Sequence, residues 1–151
     1  MAFDNKVPAK IINGLGAASG TGEGFSPASA TIALQRPHLK RYFPKIEDCY
    51  NGTINVLLDY PVEIRLPEIV TPPLPWGVNG ATERFGITEV RFELDGDQRQ
   101  YPAWVFTAEC SRHLPKTGVL ELLAEKIDGI QAGRKCFIGF QRLQPAKLLI
   151  V

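Results

Sequence analysis

The chain has 151 residues, of which 44% are hydrophobic and 22% charged, with a formal net charge of +1. That length and composition suit one globular domain with a real core. The near-zero charge gives no electrostatic basis for bulk binding of nucleic acid or an anionic membrane. No apolar run approaches the roughly 18 residues of a membrane span, and Met1 to Ala9 lack a signal-peptide core. Cys49, Cys110 and Cys136 are odd in number and form no C-x-x-C pair. They suggest neither a zinc site nor a disulfide framework, and reduced thiols in a cytoplasmic protein are the simplest reading. Twelve prolines and 14 glycines along the chain predict many short elements.

In chain order, Val7 to Ile12 reads as a first strand. Asn13 to Gly24 then carries glycines at 14, 16, 20, 22 and 24, around the core Ser19-Gly20-Thr21-Gly22-Glu23-Gly24. A glycine-rich loop after a strand can turn backbone N–H groups toward phosphate oxygens. It can equally be a flexible hairpin, and it matches neither a Walker A loop nor a dinucleotide fingerprint. Ala28 to Leu34 reads as a second strand. Pro37 then fits the first position of a short helix that Pro44 ends. Arg36, Lys40, Arg41 and Lys45 make the densest positive patch, suited to phosphates or to plain solvation.

Tyr50-Asn51-Gly52 is a turn, followed by an apolar strand from Ile54 to Leu58. Thr53 and Asn55 are two apart, so a strand sets both on one face. They offer two neutral oxygens beside Gly52, where a backbone can be closely approached. A hard metal ion or a phosphate would fit there; so would a hairpin entry with no ligand. Val62 to Leu66 alternates as a short strand. Pro67 to Gly80, with four prolines and Trp76, reads as a long irregular excursion. Phe85 to Leu94 and Gln100 to Ala108 form the clearest hairpin, turning at Asp95-Gly96-Asp97. Val119 to Ile127 fits either a short helix or a buried strand turning at Asp128-Gly129. Arg134 to Phe140 is a last strand, and 141–151 an apolar tail that can dock on the body or on a partner. Without βαβ alternation, this is a mainly antiparallel β domain, best built as a small barrel over about 7–140.

Taken together, these pieces resemble the archaeal CTP-dependent riboflavin kinases. Ser19-Gly20-Thr21-Gly22-Glu23-Gly24 looks like that family's opening S-G-x-G-E-G. Gly52-Thr53-Ile54-Asn55 looks like its G-T-L-N signature, after a similar span with a short basic helix. Phe85-Gly86-Ile87, a hairpin, a histidine and Val119-Leu-Glu-Leu-Leu-Ala124 follow in the family's order. The resemblance implies a six-stranded cradle-loop barrel with one or two short helices. It also implies transfer of the terminal phosphate of CTP, or of another nucleotide, to riboflavin or another small acceptor. Carried over residue by residue, Gly20, Thr21, Gly22, Glu23, Gly24 and Gly52 would bind nucleotide. Thr53 and Asn55 would hold Mg²⁺, and Glu121 and His113 would act on the acceptor side. Phosphoryl transfer is mostly positioning and charge stabilisation, which suits a site with few titratable groups. The departures fall on the flavin side: Ser111-Arg112-His113 replaces Thr-Tyr-His, and Leu114-Pro115 look inserted. They favour, as an alternative, a barrel that binds a nucleotide or flavin without catalysis. A DNA-binding or assembly barrel is disfavoured by the charge. No nucleic-acid or membrane partner is expected.

Overall fold

The computed structural model describes residues 3, 5–12, 29–60, 62–64, 67–76, 82–108, 118–141 and 148–150. Strands β1 (Asn5–Ile11), β2 (Ile54–Leu58), β5 (Phe85–Leu94), β6 (Tyr101–Ala108), β7 (Val119–Leu123) and β8 (Lys135–Phe140) form a closed antiparallel barrel. Its order is β5-β6-β7-β2-β1-β8, and β8 returns to β5 through the register Val90↔Phe140 to Leu94↔Cys136. The expected fold class, a mainly β six-stranded antiparallel barrel, is therefore present. Closure removes the free edges that an open sheet would leave.

The period of two decides what fills it. Val7, Ala9 and Ile11 of β1, Ile54, Val56 and Leu58 of β2, and Val90, Phe92 and Leu94 of β5 all point inward. Ala103, Val105, Leu120, Leu122, Cys136, Ile138 and Phe140 complete one contiguous interior. The β5–β6 turn is where the sequence places it. Asp97 N–H donates to Leu94 O at 3.0 Å, and Gly96 sits at φ +87°, a conformation that L side chains rarely adopt.

A second core lies on the outer face. Phe85 and Ile87 of β5, Phe106 of β6 and Leu123 of β7 face away from the interior, and they are still buried. Helix α1 (Ser29–Leu39) and a 3-10 turn (Pro44–Asp48) contribute Ile32, Leu39 and Ile46 to this cluster, and Phe43 between them joins it. Phe85 stacks on Phe106 at 5.1 Å, and Trp104 meets Phe43 edge-on at 5.3 Å.

Here the structure differs from the sequence reading. Ala28 to Leu34 is not a strand: from Ser29 it is the body of α1. Ile32, Gln35 and Leu39 are buried at helical spacing, whereas Ala33 and Leu34 are exposed. Pro37 does not open the helix but lies in its last turn, where the missing N–H removes one intrahelical bond, the one to Ala33 O. Pro44 begins the 3-10 turn rather than ending a helix, because the first position of a turn needs no donor.

Part of the 67–80 excursion is ordered against β5. Strand β4 (Ile69–Val70) pairs with Ile87 and Gly86, and Leu74 and Glu83 exchange backbone bonds of 2.9 and 3.1 Å. Trp76 Nε1 donates to Glu83 Oε1 at 3.1 Å. Strand β3 (Val62–Ile64) pairs with β9 (Leu148–Ile150) in a separate two-stranded ribbon, so residues 148–150 are held against β3. Val119–Leu123 is a strand, which settles the ambiguity there. Among the described residues no helix is long and apolar enough to cross a membrane.

Two consequences are measurable. Phe92 is fully buried inside the barrel. Phe92→Ala should lower unfolding stability by about 3–5 kcal/mol, read by urea denaturation. Burial also pushes the Cys49 thiol up to about 11, against a smaller opposing pull from Arg36. Burial, with the Asp59 carboxylate adding to it, pushes Cys136 up to about 12. Raised thiol values favour the fold below the ordinary value of 9.0, and that contribution is lost as pH climbs from there toward 11. In a Cys110→Ser background at pH 8, a thiol reagent should modify neither cysteine until the protein unfolds. Fast stoichiometric labelling of the native protein would contradict the packing.

Candidate functional site

The site is built where β2 leaves its turn. Tyr50 N–H donates to Ala124 O at 2.8 Å, which seats the turn beside the end of β7. Gly52 is buried, and Thr53 and Asn55 have 0% exposure. Inward positions of β2 are taken by Ile54 and Val56, so Thr53 and Asn55 lie on the outer face, at the border of the second core. Asn55 is in register with Glu121 of β7, the outward residue next on that face to Leu123. Thus three of the predicted site residues, Thr53, Asn55 and Glu121, are brought together, with Gly52 adjoining. Gly20, Thr21, Gly22, Glu23, Gly24 and His113 lie outside the described residues.

Thr53 Oγ1 donates to Asn55 Oδ1 at 2.7 Å. The two oxygens expected to share a cation are therefore already neighbours. Octahedral Mg²⁺ with ligands at about 2.0–2.1 Å sets two adjacent oxygens about 2.9 Å apart. Turning the hydroxyl proton away and widening the pair by a few tenths of an ångström would satisfy that geometry. The donor set is neutral, so water and phosphate oxygens would have to complete the shell. Among the described residues, no group of three or more His, Cys, Asp or Glu could hold a metal instead.

Asn55 carries a second signal. Its Nδ2 is buried and has no hydrogen-bond partner among the described residues. A buried donor left unpaired costs about 1–3 kcal/mol, so it marks a place where an acceptor belongs. Its backbone is well used: Ile12 N–H donates to Asn55 O at 2.9 Å. Ile12 is the last described residue before the glycine-rich segment. The chain therefore enters that segment directly beside Asn55.

Arg36 takes a different role from the one its charge suggested. Its guanidinium, from α1, donates to Ile46 O and to Asn51 Oδ1, and Nη2 reaches Cys49 O at 3.0 Å. It ties the 3-10 turn and the Asn51 turn to the helix. Arg36 is thus a brace for the entry to β2. Nothing in its isolated position in the basic run Arg36 to Lys45 signals this. The signal is Asn51, a turn amide able to accept from a guanidinium.

A cleft of about 410 Å³ lies elsewhere, along β1 and β8, with Lys10, Asp59, Asp95 and Lys135 on its walls. All four are exposed and of both signs, so solvent screens them, and the cleft lacks the buried polar groups found at Asn55. No protein-family model and no curated protein matches the chain. The reading of the site therefore rests on its own residues.

The brace can be tested by itself. Arg36→Met removes three acceptor contacts while keeping the stem. It should lower stability by about 1–3 kcal/mol and speed amide exchange over 46–52 while leaving the barrel strands protected. Uniform loss of protection across the barrel would contradict a local role.

Proposed function

We propose that this protein is a Mg²⁺-dependent nucleotide phosphotransferase of the riboflavin kinase type, with CTP as donor and riboflavin as acceptor. The observation that carries the proposal is the buried Thr53–Asn55 pair, its oxygens 2.7 Å apart, with the Asn55 Nδ2 donor unpartnered. A closed six-stranded antiparallel barrel supports the reading, as does the register that sets Glu121 opposite Asn55.

In this reading Thr53 Oγ1 and Asn55 Oδ1 would hold Mg²⁺, which would offset charge on the phosphate oxygens. Asn55 Nδ2 donates to a phosphate oxygen, satisfying the orphaned group. Gly52 and the backbone N–H groups of Gly20, Gly22 and Gly24 cradle the remaining phosphates. Glu121, with His113, would orient the acceptor hydroxyl, and the Glu121 carboxylate would accept its proton. Burial of the pair lowers the local dielectric, which strengthens each of these contacts relative to water.

The alternative, a barrel that binds nucleotide or flavin without turnover, differs in one measurable respect. Incubation with Mg²⁺, CTP and riboflavin should form FMN and CDP, with ATP and GTP tested alongside. Asn55→Ala should abolish Mg²⁺-dependent nucleotide binding while circular dichroism shows the fold intact. Nucleotide binding without FMN would favour the alternative or another acceptor. Unchanged binding in Asn55→Ala would sink the metal assignment.

A further inference from the structure

Among the described residues, two buried side-chain atoms have no hydrogen-bond partner: Asn55 Nδ2 and Gln35 Oε1. They are of opposite kind, one a donor and one an acceptor. Nothing in the motif reading assigns Gln35 a role. It lies on α1 with 3% exposure, between Ile32 and Leu39 on the barrel-facing side of the helix. Ile32 and Leu39, its buried neighbours on that side, are apolar. An amide placed there loses its water, and a carbonyl without a donor is a standing penalty that leucine or methionine would avoid.

Position adds to chemistry. Arg36, the next residue, reaches Asn51, two residues before Thr53. Ile32 and Leu39 share the outer core with Leu123, whose neighbour on that face of β7, Glu121, pairs with Asn55. So Gln35 and Asn55 come from two elements that border the same outer-face region.

We infer that Gln35 is a ligand-binding residue whose side-chain carbonyl accepts a hydrogen bond from a neutral N–H or O–H group of the substrate. An acceptor cannot serve a phosphate oxygen, so Gln35 reads a different part of the ligand from Asn55. Three groups have the required chemistry: the exocyclic amine of a cytosine base, a ribose hydroxyl of the nucleotide, and a hydroxyl or ring N–H of the acceptor molecule. The pair then divides the work. Asn55 takes the anionic end and Gln35 the neutral polar end. The identity of the donor rests on the nucleotide reading above, whereas the unpaired carbonyl does not.

Gln35→Met keeps length and volume and removes the acceptor. Without ligand it should raise the melting temperature by about 2–4 °C, because an uncompensated polar group has left the interior. With ligand it should lose at least tenfold in affinity for one or more probes. If the donor is the cytosine amine, binding of Mg·CTP weakens, while Mg·UTP, which lacks that amine, is unaffected. If it is a ribose hydroxyl, binding of both nucleotides weakens alike; if it is a hydroxyl or ring N–H of the acceptor, binding of riboflavin weakens and that of both nucleotides holds. A lower melting temperature in ligand-free Gln35→Met overturns the inference, since the carbonyl would then be satisfied within the fold. Equal affinities of wild type and variant for all three probes overturn it too. Wild-type protein that binds none of them overturns the nucleotide reading, and the ligand-free arm then decides on Gln35 alone.

Discussion

Closure of the barrel through β5 and β8 is the constraint on which the rest depends. Once Val90 to Leu94 pair with Cys136 to Phe140, every strand has its two faces fixed. Inward residues are apolar and need no partner. Outward residues then divide by what covers them. Over β5, β6 and β7 they meet α1 and the 3-10 turn and become a second core. On β1 and β8 Lys10 and Lys135 face water. Thr53 and Asn55 fall at the boundary between these regimes. They are outward-facing by register and fully buried by cover. A polar pair at that boundary is shielded from solvent without being part of either apolar core.

The same boundary explains why α1 matters. It carries apolar anchors, Ile32 and Leu39, that hold it to the barrel, and two polar residues that face inward or across. Arg36 spends its donors on Ile46, Cys49 and Asn51, so the turn before β2 is tied to the helix. Gln35 leaves its carbonyl unused. Two adjacent residues with the same apparent polarity therefore do opposite things: one satisfies the fold and the other remains open to a ligand. Buried polar groups without a partner are where folds can carry local instability for function.

Much of the fold was legible because its signals are local. Phe85–Leu94, Tyr101–Ala108 and Ile54–Leu58 follow a period of two with glycine or asparagine at the turns, and they form the expected strands. The helix was not legible in the same way. Ala28 to Leu34 carries β-branched Thr31 and Ile32, and Pro37 suggested a start where there is a last turn. Tertiary burial of one stripe, Ile32, Gln35 and Leu39, decided for helix over local preference. The Thr53–Asn55 pair was legible as two oxygens on one face. Its burial and its unpaired Nδ2 were not, since both depend on what packs above β2. Gln35 was invisible for the same reason: without the helix its spacing from Ile32 and Leu39 has no meaning.

The central claim is that Asn55 and Thr53 hold a divalent cation together with nucleotide phosphate. Manganese tests it most directly, because it replaces Mg²⁺ and broadens nearby NMR signals through its unpaired electrons. Titration of Mn²⁺ with CTP into ¹⁵N-labelled protein should erase the Asn55 side-chain amide and the Thr53 and Asn55 backbone signals first. Signals of β8, on the far side of β1 from β2, should persist. Broadening centred elsewhere, or none at these residues with nucleotide present, would contradict the account.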